Sequence, residues 1–237
     1  MSTTATKRRP PLMLPGQSAA PEGPVDMTFM YVMHHGFRRD LTAFVAAAKA
    51  TPAGDRDAWE ALEQRWQLFS HILHLHHTAE DDAIWPFLMD RVDAEGRATL
   101  QAMEAEHDQI DPLLQACADG FATLARKPDD DVRAALVVRL TATRECLSRH
   151  LAHEETDAIA LIQSSVTAEE WLAIEKDHAR DGRRVRDILR VVPWAAHGLP
   201  PEARATAFAD AGRAFFLVWL ATRGAFERRE RRAFRYV

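Results

Sequence analysis

The stretch His76-His77-Thr78-Ala79-Glu80-Asp81-Asp82-Ala83-Ile84-Trp85-Pro86 decides the fold. It continues an apolar stripe at helical spacing that reads Phe69, Ile72 or Leu73, His76, Glu80, Ile84, Phe87. Residues four apart on a helix lie one above the other, so His76 and Glu80 both stand on the face expected to be packed rather than wet. The neighbouring pair, His77 and Asp81, shares its face with Ser70 and His74 and reads as outward-facing or as support behind the packed pair, with His77 also a possible additional ligand.

The same spacing returns downstream. There the stripe runs Leu136, Leu140, Leu147, His150, Glu154, Ala158, Leu161, while His153 and Asp157 keep company with Arg149 and Ser164 and face out. Two further stripes carry one histidine each. Met27, Met30, His34, Phe37, Leu41, Phe44 and Ala48 form the first, with His35 beside Arg38, Arg39 and Thr42 on the wet side. Leu100, Met103, His107, Ile110, Leu114 and Phe121 form the second, with Asp111 one turn beyond His107 at its border.

These stripes predict helices over about 26–50, 57–92, 98–125 and 130–163, broken at Pro52 and Gly54, Asp93 and Gly96, and Lys127 and Pro128. Pro86 should kink or loosen the second. Long helices with short connections describe an all-α, antiparallel up-down four-helix bundle. Residues 25–165 make up that bundle. Residues 1–24, dominated by Pro, Gly, Ser and Ala, read as a disordered tail. Residues 166–237 read as a helical extension: Thr167 caps a helix over about 168–192, Pro193 to Pro201 make a joint, and a helix over about 201–223 leads into Arg228, Arg229, Arg231, Arg232 and Arg235. That basic end reads as a solvated helix face, with a surface for an anionic partner as the alternative.

Composition narrows the classes. A net charge of -5 gives no reason to expect nucleic acid. Cys117 and Cys146 form no CxxC pair, which argues against a zinc ribbon, a disulfide scaffold or a thioredoxin-type site and suits a reducing cytoplasm. Lys7, Arg8 and Arg9 precede a proline-broken stretch with no export segment, and the longest apolar run, from Ala214 to Ala221, is too short for a membrane span.

Each bundle helix thus turns one histidine inward, and the second and fourth each add a glutamate. A buried carboxylate must be paired, coordinated or neutralised. Four imidazoles (His34, His76, His107, His150) and two carboxylates (Glu80, Glu154) suit two iron ions, because carboxylates bridge cations and both ligand types bind ferrous and ferric iron. A ferritin-like Glu-x-x-His site is the weaker reading. Glu104 to His107 and Glu175 to His178 have the spacing, but the first helix has no inward Glu, and Glu104 shares a polar face with Asp108.

Taken together, His34 with Phe37, Arg38, Arg39 and Leu41; His76, His77, Glu80, Asp81, Trp85 and Pro86; Glu106, His107, Ile110 and Leu114; and His150, Leu151, Glu154 and Glu155 resemble the hemerythrin-like, or HHE, domain family. The resemblance implies a non-heme di-iron site with Glu80 and Glu154 bridging the metals, completed by the four histidines and an oxo or hydroxo bridge. It also implies a small-molecule partner such as dioxygen, peroxide, nitric oxide or a small metabolite. The protein is then either an oxidoreductase or a module that binds or senses oxygen or iron.

Oxygen-carrying members keep a second histidine one turn after the third-helix ligand, where this chain has Asp111. Either Asp111 binds an iron or that iron has an open position, and both choices favour reactivity over carriage. Glu155 competes with Glu154 for the bridging role. Tyr31 is either a packing residue or a hydrogen-bond donor to bound oxygen. His178 is either a core residue or part of a lid over the bundle mouth.

Overall fold

The computed structural model of the chain describes residues 10–174 and 185–237. Helix α1 spans Thr28–Ala50, α2 Arg56–Ala79, α3 Trp85–Met89, α4 Ala94–Arg126, α5 Asp130–His153 and α6 Ile159–Ser165. A π-helical turn, Glu80–Ile84, joins α2 to α3, and a second, Glu154–Ala158, joins α5 to α6. The four long rods are therefore α1, α2–α3, α4 and α5–α6, and α2 packs on α4, α4 on α5, and α5 on α1. No strand occurs among the described residues. The protein is an all-α helical bundle with a helical extension.

The rods start where side chains satisfy their first amides. Asp55, Asp93 and Asp129 accept hydrogen bonds from the backbone N–H of Ala58 (3.2 Å), Gly96 (2.9 Å) and Val132 (3.0 Å). Thr167 and Glu170 cap one another reciprocally at the start of helical residues 168–174. One end of the bundle is filled by Phe44, Trp59, Trp66, Phe69 and Phe121, all buried. Phe37 continues this aromatic packing to His76, with ring centroids 5.2 Å apart.

The loosening expected at Pro86 takes the form of the π turn just before it. Proline lacks the N–H that would continue the α ladder. The second π turn has no proline, so proline alone does not explain the pair. π turns widen the helix locally and are frequent at functional sites.

The extension differs from expectation. Helix α7 (Val185–Ala196) runs through Pro193 and ends before Gly198, whose φ of 69° suits a glycine. The single helix expected from residue 201 is two, α8 (Pro201–Ala211) and α9 (Arg213–Ala233), divided at Gly212 with φ 90°. The basic end belongs to α9. Helices α7 and α9 pack on each other, α7 also on α1, and α9 also on α2.

A buried ionic knot fastens the extension to the bundle. Arg65 on α2 donates to Asp40 on α1 (2.6 Å) and to Glu230 on α9. The indole of Trp194 donates to the same Asp40 carboxylate (2.6 Å). Residues 10–24 are not loose over this part either. Leu14 is buried in the main core, and Gln17 holds its backbone in a turn. The tail's composition hid this because a single buried leucine and a few local hydrogen bonds anchor it.

Candidate metal centre

His34 lies on α1, His76 and His77 on α2, His107 on α4 and His150 on α5, while Glu80 and Glu154 each open a π turn. The structure brings these seven side chains into one cluster near the middle of the bundle. Their donor atoms fall into overlapping groups, each within 4.8 Å: His34, His76 and Glu154; His77, His107 and His150; and Glu80, His150 and Glu154. His34, Glu80 and Glu154 are 0% exposed, and the histidine rim of His76, His77 and His107 is no more than 8% exposed.

Three of the imidazoles are held from behind by carboxylates. His34 Nδ1 meets Glu155 at 2.9 Å, His107 Nδ1 meets Asp81 at 2.9 Å, and His150 Nδ1 meets Glu106 at 2.8 Å. A carboxylate accepts, so Nδ1 carries a proton, and Nε2 is the inward atom that a metal would take once any proton on it is lost. The consequence is sharpest between His107 and His150, whose Nε2 atoms stand 3.2 Å apart. With both Nδ1 positions turned to carboxylates, these two Nε2 atoms face one another across a gap that a cation suits.

The remaining inward atoms are orphaned. Nε2 of His34, His76 and His77, and both carboxylate oxygens of Glu80 and Glu154, are buried without a hydrogen-bond partner. His34 Nε2 lies 3.2 Å from Glu154 and His76 Nε2 3.1 Å from Glu80, close but not aligned as hydrogen bonds. Buried polar atoms are otherwise almost always satisfied. Here seven of the unsatisfied ones converge, and their chemistry, imidazole nitrogen and carboxylate oxygen, fits iron.

Electrostatics agrees. Burial lowers the pKa of His76 to about 3, pushes His77 well below the ordinary imidazole range, and lowers His107. These rings are neutral, as metal ligands must be. Burial, with the Glu154 charge beside it, pushes Glu80 well above the carboxylate range. Glu154 resists the same burial because His34, His76 and His150 hold it low. For His34, burial is outweighed by Glu154 and Glu155, which raise it to about 9.

Several expectations need correction. His77 does not face out; its ring stacks on His107, with centroids 3.9 Å apart and planes 10° apart. Adjacent helical positions point about 100° apart, so His76 turns to His34 on α1 and His77 to His107 on α4. Asp111 is exposed on α4, one position past fully buried Ile110, and no described contact ties it to the cluster. Glu155 is engaged on both oxygens, by His34, by a two-nitrogen grip from Arg38 (2.6 and 2.9 Å) and by the Ser18 N–H (2.7 Å).

His35 is half-buried rather than wet, and its pKa is lowered chiefly by burial. The Tyr31 hydroxyl is buried without a partner, and burial followed by the charges of Glu155 and Glu154 raises its pKa, so it keeps its proton. His178 lies outside the described residues. Asp81, read as outward or as support, holds His107 from behind, whereas Glu106, which holds His150, escaped the stripe reading because it sits at the stripe's edge. Their one sequence signal is a carboxylate directly beside or one turn from a histidine.

The hemerythrin HHE cation-binding domain matches residues 26–162 of the chain. No curated protein and no solved structure matches it.

Proposed function

Because the chain belongs to the hemerythrin HHE cation-binding family, we propose that its bundle holds a pair of iron ions that react with a small oxidant: dioxygen, peroxide or nitric oxide. The observation that carries this is the convergence of orphaned donor atoms from His34, His76, His77, Glu80 and Glu154 beside the facing Nε2 atoms of His107 and His150. His34 and His76 would hold one ion and His77, His107 and His150 the other, with Glu80 and Glu154 reaching both. When bound, the iron pair supplies electrons and an open coordination position.

His77 alters the choice between reactivity and carriage. It supplies a fifth imidazole from α2, so Asp111 no longer argues for a missing ligand. Tyr31 now favours reactivity. It is one turn before His34, and its buried, protonated hydroxyl offers a hydrogen bond. The near-complete burial of the cluster limits the reactant to a few atoms. A reversible oxygen carrier or sensor is the second reading.

No helix of the described residues is long and apolar enough to cross a membrane. The free thiols of Cys117 and Cys146 suit a reducing cytoplasm. Stopped-flow spectroscopy of the di-ferrous protein separates the two readings. Oxidation with consumption of the oxidant supports turnover. An adduct that releases dioxygen intact on degassing, with no peroxide consumed, overturns it.

A further inference from the structure

The basic end of the chain builds a cavity well away from the metal centre. Between α2, α7 and α9 lies a cavity of about 310 Å3 whose lining includes Arg65, Arg186, Arg190, Arg229 and Arg232, with Phe226 on its wall. It adjoins a second cleft of about 580 Å3 along α7 and α9, which shares Arg186, Arg190 and Arg229. A volume of this order matches a small-molecule site.

Guanidinium groups stay charged at any physiological pH, so several of them around one cavity repel one another unless an anion is present. Arg65 is neutralised by Asp40 and Glu230, but the nearby acids leave the other four unpaired. Glu230 is taken by Arg65 Nε, and Asp187 turns to His71 at 2.9 Å. Among the described residues no carboxylate pairs with Arg186, Arg190, Arg229 or Arg232. The third nitrogen of Arg65, Nη1, is buried without a hydrogen-bond partner although the residue itself is almost fully buried. This local excess of positive charge stands in a chain whose net charge is -5.

We propose that this cavity binds a small organic molecule carrying two anionic groups, phosphate or carboxylate. Planar guanidinium forks match both groups bidentately. Arg232 lines the inner cavity alone, and Arg186, Arg190 and Arg229 are shared with the outer cleft, so four unpaired forks are available to two anionic groups. Phe226 and Leu68 give the organic body between them an apolar wall. The concave shape and small volume favour a metabolite over an extended nucleic-acid backbone.

Isothermal titration calorimetry on the full chain tests this with three probes: succinate, a sugar bisphosphate and inorganic phosphate. Saturable one-to-one binding of succinate identifies a carboxylate ligand, and of the bisphosphate a phosphate ligand, either tighter than inorganic phosphate. Arg190→Ala and Arg229→Ala should each weaken that binding about tenfold or more, with melting temperature and iron content unchanged. Added salt should weaken it as well. Saturable binding by none of the probes, binding indifferent to both substitutions, or tight binding of a single-stranded oligonucleotide alone would overturn the proposal. None of these outcomes depends on the iron site.

Discussion

The imidazole of His77 lies flat against that of His107, centroids 3.9 Å apart, with His150 standing edge-on to both. This contact turns a helix-surface position into the third corner of a histidine face. It predicts that His77→Ala weakens iron binding tenfold or more, since loss even of a group behind a ligand costs about 10–100-fold. His153→Ala, which removes a half-exposed ring held by Glu106 at 2.9 Å, should leave stoichiometry intact. Equal iron content in both variants would remove His77 from the ligand set.

Glu154 and Glu155 are neighbours with opposite assignments. Glu154 presents two unpartnered oxygens, whereas both Glu155 oxygens are occupied by His34, Arg38 and Ser18. Glu154→Gln should abolish stable two-iron loading. Glu155→Gln should retain two irons with affinity lowered about 10–100-fold. Metal analysis after graded chelation distinguishes them, and the reverse order would exchange their roles.

Proton competition sets the pH dependence. His34 is raised to about 9 by Glu154 and Glu155 against the effect of burial, and Glu80 is raised by burial and by Glu154. His34 carries a proton at neutral pH that a cation must displace, and Glu80 resists ionisation until a cation offsets its burial. Metal affinity should therefore climb as pH rises toward about 9, with protons released on binding. Calorimetry in buffers of different ionisation heat measures that release. Affinity that is flat from neutrality to pH 9 would contradict these protonation states.

Gly36 is where the extension touches the site-bearing helix. A Cβ there would stand 2.6 Å from the Trp194 ring, which is fully buried and tied to Asp40 at its indole N–H. The helix itself gains from Gly→Ala by about 1 kcal/mol, but overpacking a fixed ring costs about 1–3 kcal/mol. Gly36→Ala should thus destabilise on balance, and Trp194→Ala by about 3–5 kcal/mol. Chemical denaturation reads both. A more stable Gly36→Ala protein would mean that α7 is not docked as described.

The bundle was legible because each rod carries an apolar stripe long enough to outweigh local exceptions. The same stripes carried His34, His76, Glu80, His107, His150 and Glu154 into the interior. They misplaced His77 for a geometric reason. A stripe assigns one inward face per helix, but a cluster set between three neighbours draws adjacent residues from α2 toward α1 and α4. Glu155 was ambiguous for the same reason, since two consecutive positions meet different neighbours. Pro86 announced the first π turn only as a loosening, and no local propensity announces the second, which has no proline. Gly212 divided a helix whose apolar pattern continues on both sides, and Leu14 anchored a segment too short to show a period.

The most direct test is the iron content of the full chain purified from iron-replete cells, measured with the absorption spectrum before and after chelation. About two irons per chain are expected from a histidine and carboxylate donor set of this kind. A lower melting temperature is also expected once they are removed, because a ligand that binds only the folded state stabilises it. A chain that carries no iron, or whose stability is indifferent to its removal, would contradict this reading.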